Sequence, residues 1–378
     1  MLNILFFVDT PLQFYNAYLF ASSKTDTCKS SILVYSQFQN AEPIANAYKD
    51  TGVFDQLYIV KPRKVASYKQ SFFWQLSAIH GHQSLNLSEL SDAHFDLFAL
   101  ACPSPATMEV YISLKKNNPK ISTLFYEDGT GTYNGNVFKQ PFYFEMPPEK
   151  SLNSASYINL LRKLSSAIKA PWRYRPTAIY VKKPALLLYQ PNIPCKQISI
   201  DNNEITKLVP VLLKDHSYSF ENARFLIFDV PRSETEGFGA NAIDEILAEC
   251  TKNTRYHACC LRSHPRSTEK SPFFDKCLDF SGGIWELMCH NENIANCLLI
   301  GVASTAQLAP YIEAEIRPSL LLLHRVAFKA EDQHYILGEQ VLKLIKLAYG
   351  KEYPSKVYIP NTLDEALDLI KAFEQKAG

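Results

Sequence analysis

The chain has 378 residues, 47% of them hydrophobic and 20% charged, with 39 basic side chains against 38 acidic ones. That length exceeds what one hydrophobic core usually fills, so two domains are expected, and the apolar share excludes a disordered chain. The charges nearly cancel and no Lys/Arg block stands out, which removes the electrostatic basis for a nucleic-acid partner.

In chain order, the amino end alternates strand-like and helix-like segments. Leu2 to Val8 is an apolar, Phe- and Val-rich run that reads as a buried strand, and it lacks the basic flank of a signal peptide. Thr10-Pro11 then opens a helix running from Leu12 towards Phe20, with Thr as N-cap and Pro at the first position. Ser31 to Tyr35 and Gln56 to Val60 read as strands, with a helix from Ala41 to Tyr48 between them and another from Phe72 to Ile79. Phe95 to Ala101 is a strand, Thr107 to Lys116 a helix, and Ile121 to Tyr126 a strand. Such β-α alternation with apolar strands implies a parallel sheet covered on both faces.

From Val137 to Asp215 nine prolines interrupt the rhythm, and an irregular or linking region is expected near Pro191 to Asp215. Alternation resumes with strands at Arg224–Asp229, Tyr256–Leu261, Ile294–Ile300, Leu320–Leu323 and Val357–Ile359. The helices between and after them are expected at Ala240–Cys250, Ile284–Cys289, Gly338–Tyr349 and Leu363–Phe373. The fold class is therefore α/β, with two Rossmann-like domains over residues 1–200 and 215–378 that face each other. GxGxxG and P-loop signatures are missing, and so is the usual support for a dinucleotide oxidoreductase or an NTPase.

Nine cysteines, an odd number without a CxxC pair, suit reduced thiols in a cytoplasmic protein better than a disulfide framework or a zinc site. No apolar run approaches the length that crosses a bilayer, so a membrane-borne substrate would be met at the membrane surface.

Three stretches carry chemistry. Tyr126-Glu127-Asp128-Gly129-Thr130-Gly131 puts two carboxylates at the end of a strand, where open α/β sheets bind ligands, and its glycines let the backbone approach closely. Taken alone, an Asp-Gly pair is a solvated turn. Arg262-Ser263-His264-Pro265-Arg266 holds an imidazole just beyond an apolar run between two guanidinium groups, a cationic pocket suited to phosphate; alone, His-Pro is a structural dipeptide. Gly301 to Gln307 sets Ser304 and Thr305 at a strand-to-helix junction, which can bind an oxyanion or simply cap the helix.

Together with Thr10-Pro11-Leu12-Gln13, these motifs resemble glycosyltransferase family 52, the bacterial lipooligosaccharide sialyltransferases, in order from Thr10 to Thr305. The resemblance implies a GT-B architecture, a CMP-activated sialic acid as donor, an oligosaccharide or glycolipid acceptor, and inverting transfer that needs neither metal nor cofactor. It makes Asp128 the base and lets His264 assist departure of CMP. Pro265, Arg266, Ser304, Thr305, Gly129 and Thr130 fall on the donor, and Thr10, Gln13 and Glu127 on the acceptor side. Arg232 stands where some members carry an Asp, which leaves Asp229 and Glu234 as alternate bases. A donor carrying another CMP- or UDP-activated sugar fits the same fold. A hydrolase built on Ser304, His264 and Asp128 lacks the GxSxG elbow.

Overall fold

The apolar strands assemble into two sheets, and every pairing in both is parallel. The computed structural model of the chain describes all residues except 39, 63–67, 81, 83, 139–142, 145–172, 213–219, 230–237, 253–257, 264–275, 282, 291 and 377–378. The chain divides into two compact units, Met1–Val211 and Leu212–Gly378.

The first unit carries seven strands: β1 (Leu2–Val8), β2 (Cys28–Tyr35), β3 (Gln56–Val60), β4 (Leu97–Leu100), β5 (Ser122–Tyr126), β6 (Pro176–Val181) and β7 (Cys195–Gln197). They lie in the order β3-β2-β1-β4-β5-β6-β7, so the direction of winding reverses between β1 and β4. Ile4 to Val8 of β1 are all buried, the continuous apolar run that a strand covered on both faces requires. The helices are α1 (Pro11–Ser22), α2 (Ala41–Lys49), α3 (Tyr68–Ile79), α4 (Pro105–Asn117), the single turn α5 (Thr130–Tyr133) and α6 (Asn202–Leu212).

Local chemistry sets the helix starts that matter for the site. Thr10 is extended at φ −140° and its Oγ1 accepts from the Gln13 N–H, with Pro11 supplying a preset first turn. Ser104 and Thr107 form the equivalent box at α4. Aromatic packing does much of the rest: Phe6 meets Phe20 and Tyr126 edge-on at 5.4 and 5.9 Å, and Phe125 meets Phe138 at 5.4 Å. The buried Glu109 of α4 accepts from the Trp74 indole of α3 and from the Leu85 N–H, which ties that stretch to α4.

The segment expected to be irregular is partly built into the fold. Pro176 can open β6 because a first strand residue need not donate to the ladder, and β7 follows at Cys195. The helix α6 falls inside the stretch expected to link domains, and the Tyr18 hydroxyl of α1 donates to Glu204 on α6 at 2.6 Å.

The second unit repeats the plan with β8 (Phe225–Phe228), β9 (Cys259–Arg262), β10 (Leu278–Asp279), β11 (Leu298–Gly301), β12 (Ser319–Leu322) and β13 (Val357–Tyr358) in the order β10-β9-β8-β11-β12-β13. Its helices are α7 (Phe238–Lys252), α8 (Trp285–Met288), α9 (Thr305–Ala314), α10 (His324–Ala327), α11 (Gln333–Tyr349), α12 (Tyr353–Lys356) and α13 (Leu363–Lys376). Ile227, Ile246, Leu261, Ile300, Leu321 and Ile370 are the centre of its core. All nine cysteines are free thiols, Cys259 and Cys277 approaching to 3.4 Å. No helix among the described residues is long and apolar enough to cross a membrane.

Candidate active site

In an open parallel sheet, ligands bind beyond the carboxyl ends of the strands where the winding reverses. In the first unit that point lies between β1 and β4, and the residues just past it are Asp9 and, two positions after β4, Cys102. The loop after β5 adds Glu127 and Asp128 one strand further on.

One side chain joins these loops. The Asp9 N–H donates to Gln13 Oε1 at 3.0 Å, which fixes the amide's orientation, and Gln13 Nε2 then donates to Asp128 Oδ1 at 3.0 Å. Gln13 is buried on the first turn of α1, held there by the Thr10 cap. Asn16, one turn on and fully buried, donates to the Glu127 carbonyl at 2.9 Å. The Asp128 N–H donates to Thr132 Oγ1 at 2.8 Å. Gly129 takes φ +64° and ψ −148°, a region open to glycine alone, and a Cβ there would also touch Leu12 at 3.5 Å.

The two neighbouring carboxylates of the motif have separate tasks. Glu127 is buried, and its Oε2 accepts from the Tyr133 hydroxyl at 2.7 Å and the Lys182 N–H at 2.8 Å. It ties α5 to the end of β6, a structural use unlike the acceptor-side role expected of it. Asp128 stays half-buried at the rim. Burial raises its carboxyl above the usual range, Gln13 lowers it and the nearby Glu127 raises it again.

The sequence order puts the Asp9-to-Gln13 loop on the same rim as Glu127 and Asp128 without giving Asp9 a role, yet Asp9 is the more perturbed acid. Burial, then the Asp128 charge, raise it to about 7, against a lowering by Gln13. The Cys102 thiol is pushed far up by burial and by both aspartates, so it stays protonated and is no nucleophile. Its position directly after a predicted buried strand was the signal available for Asp9.

In the second unit the winding reverses between β8 and β11, which brings Asp229 and the loop after Gly301 to the corresponding place. Ser304 is the N-cap of α9: its Oγ accepts from the Ala306 N–H at 3.3 Å, and its own N–H donates to Gln307 Oε1 at 3.1 Å. Gln307 is fully buried and its Nε2 also donates to the carbonyls of Leu299 and Leu321, at 3.0 and 3.1 Å. Gly301 makes room for it, since a Cβ would lie 3.1 Å from the amide oxygen. Ala303 turns the chain at φ +53°. Thr305 is exposed at the first turn of α9. The capping role of Ser304 is thus seen directly, and its geometry is that of a cap and not of an exposed nucleophile.

Arg262 departs from expectation. Its guanidinium donates to the carbonyls of Phe280 and Gly283 at 2.6 and 2.7 Å, which spends it on joining β9 to the segment after β10 instead of lining a phosphate pocket. His264, Pro265, Arg266, Arg232 and Glu234 lie outside the described residues. Asp229 is buried, its N–H donating to the Arg262 carbonyl at 2.9 Å. No three His, Cys, Asp or Glu side chains among the described residues come together as a metal site.

No protein-family model matches the sequence. No curated protein matches it either. Among solved structures, the chain is similar to the UDP-GlcNAc 2-epimerase of Methanocaldococcus jannaschii in complex with UDP-GlcNAc and UDP, with 10% identity and a TM-score of 0.50 over 98% of this chain and 92% of that one. Phytolacca americana UGT2 complexed with UDP-2fluoro-glucose and pterostilbene follows at 12% identity and a TM-score of 0.49, covering 100% of this chain and 92% of the other. Acinetobacter baumannii MurG gives 12% and 0.44 over 100% and 91%. The epimerase likeness is one of fold, and with the two parallel sheets it makes this a two-domain α/β protein of GT-B architecture.

Proposed function

We propose that this chain is a glycosyltransferase that moves a sugar from a nucleotide-activated donor to a hydroxyl acceptor. The observation that carries the reading is the acid rim of the first sheet, in which Gln13 holds Asp128 beside Asp9 at the point of winding reversal. Half-buried carboxylates with raised proton affinity are suited to take a hydroxyl proton near neutral pH. As that proton moves to the rim, the acceptor oxygen bonds to the anomeric carbon, and the bond from that carbon to the donor phosphate breaks, its electrons leaving with the nucleotide.

The donor side of this reading uses the loop Gly301 to Thr305 and the N-terminus of α9, whose amides and dipole favour a phosphate. His264, two positions before Arg266 in the sequence, would stabilise the departing phosphate. The solved neighbour of TM-score 0.50 holds UDP and UDP-GlcNAc, which favours a UDP-sugar as donor. A second reading, transfer of sialic acid from CMP-sialic acid to a surface glycan, is favoured by the order of the four motifs from Thr10 to Thr305. On either reading the acceptor is an oligosaccharide or glycolipid, and the reaction inverts the anomeric centre without a metal.

The test is incubation with a panel of UDP- and CMP-sugars and a mixed glycan acceptor, reading nucleotide release and the glycosylated product. Transfer from one UDP-sugar supports the first donor class and transfer from CMP-sialic acid the second. Turnover of a UDP-sugar to its epimer, without transfer, would remove the transferase reading.

A further inference from the structure

The strand order sets Asp9, not Asp128, at the reversal point of the first sheet. The two acids are linked through one amide whose orientation is fixed: Gln13 gives its oxygen to the Asp9 N–H and its nitrogen to Asp128, each at 3.0 Å. A glutamine held in this way stabilises charge on Asp128 and cannot flip to offer it an acceptor. The Asp128 charge in turn lies near enough to Asp9 to hold its proton more tightly.

Several described side chains around the pair have partners of their own. Glu127 adds a third carboxylate behind Asp128, committed to Tyr133 and Lys182. Tyr126 spends its hydroxyl on the Phe7 carbonyl at 2.5 Å. Cys102 faces both aspartates as a neutral thiol. Lys182, just past β6, lays its ammonium over the Tyr15 ring at 4.7 Å. The Asp128 charge thus adds to burial in raising Asp9, and Glu127 adds in the same way to Asp128.

Resting on the transferase reading, we propose that Asp9 is the proton acceptor of the reaction and that Asp128 is the standing charge, held by Gln13, that keeps Asp9 basic. In the step itself the acceptor O–H proton passes to the Asp9 carboxylate while the new C–O bond forms and the donor's C–O bond to phosphate breaks. Asp9 then returns the proton to solvent. An acid that titrates near the working pH is the better base, since it is ionised yet still binds a proton well.

Two measurements on the full chain test this. In the first, kcat/KM is followed against pH with the donor that the panel identifies. Asp9→Asn should lower it by roughly 10²–10⁴-fold and abolish the acidic limb. Asp128→Asn should move that limb down by about one pH unit, because a neighbouring negative charge is gone. Asp9→Asn with near-normal rate and an unchanged limb would overturn the proposal. In the second, carboxyl-¹³C aspartate is titrated by NMR without any sugar, the Asp9 signal being assigned by its loss in Asp9→Asn and the other signals reporting that the variants fold. The Asp9 midpoint should fall in Asp128→Asn and in Gln13→Leu should rise. A midpoint indifferent to Asp128→Asn would also overturn the proposal, whereas a protein that shows the coupling but transfers no sugar would sink the transferase reading alone.

Discussion

If Asp9 binds its proton more tightly in the folded chain, stability must carry the trace of it. Its carboxyl rises from the ordinary 3.8 to about 7, with burial as the first cause and the Asp128 charge as the second. The stabilisation that comes from this protonated acid is complete below the unfolded value, declines as pH rises, and is gone above the folded one. Three pH units at about 1.4 kcal/mol each give an upper bound of ~4 kcal/mol, and partial exposure of the residue cuts this to roughly 2 kcal/mol. Asp9→Asn keeps the N–H that Gln13 accepts but has nothing to titrate. Chemical denaturation of the first unit's transition, measured between about pH 5 and pH 8, should show the wild type losing ~1–2 kcal/mol relative to the variant as pH rises. Curves for the two proteins that run parallel over that interval would refute the reasoning.

The second unit offers two packing tests. Gln307→Leu has nearly the same shape but leaves the Leu299 and Leu321 carbonyls and the Ser304 N–H without their partner, so unit two should lose about 2–4 kcal/mol in denaturation while the first unit's transition stays put. Gly338→Ala would put a Cβ 2.5 Å from the ring of the buried His324, which Glu339 holds at 2.9 Å, and the resulting shift should cost about 1–3 kcal/mol in the same assay. Transfer should persist in EDTA, because Asp128 Oδ1 accepts from Gln13 and no three His, Cys, Asp or Glu side chains among the described residues gather as a cation cage. Loss of activity on chelation, restored by Mg²⁺ or Mn²⁺, would contradict this.

Much of the architecture was legible because strands covered on both faces must be apolar throughout. Gln56 to Val60 forms β3 as read, and the caps at Thr10 and Ser304 sit where short polar side chains meet free amides. Pattern failed where proline interrupts the alternation: Pro176 opens β6 and Pro210 lies within the helix α6, both between Val137 and Asp215. The site was legible in part. Asp128 and Gln13 stand out by motif, but their bond spans 115 positions, and nothing local announces that Asp9 shares the same amide. Arg262 misled for the converse reason, since its charge looks available until the Phe280 and Gly283 carbonyls fold against it.

The central claim is that the acid rim of a GT-B protein serves sugar transfer from an activated nucleotide, and product analysis addresses it most directly. The purified protein, given one UDP- or CMP-sugar at a time together with a glycan acceptor, should release one nucleotide and yield a glycan heavier by one sugar, and the double variant Asp9→Asn with Asp128→Asn should yield far less of both. Nucleotide release without a glycosylated product from any donor, or a variant lacking both rim carboxylates that transfers as well as the wild type, would contradict it.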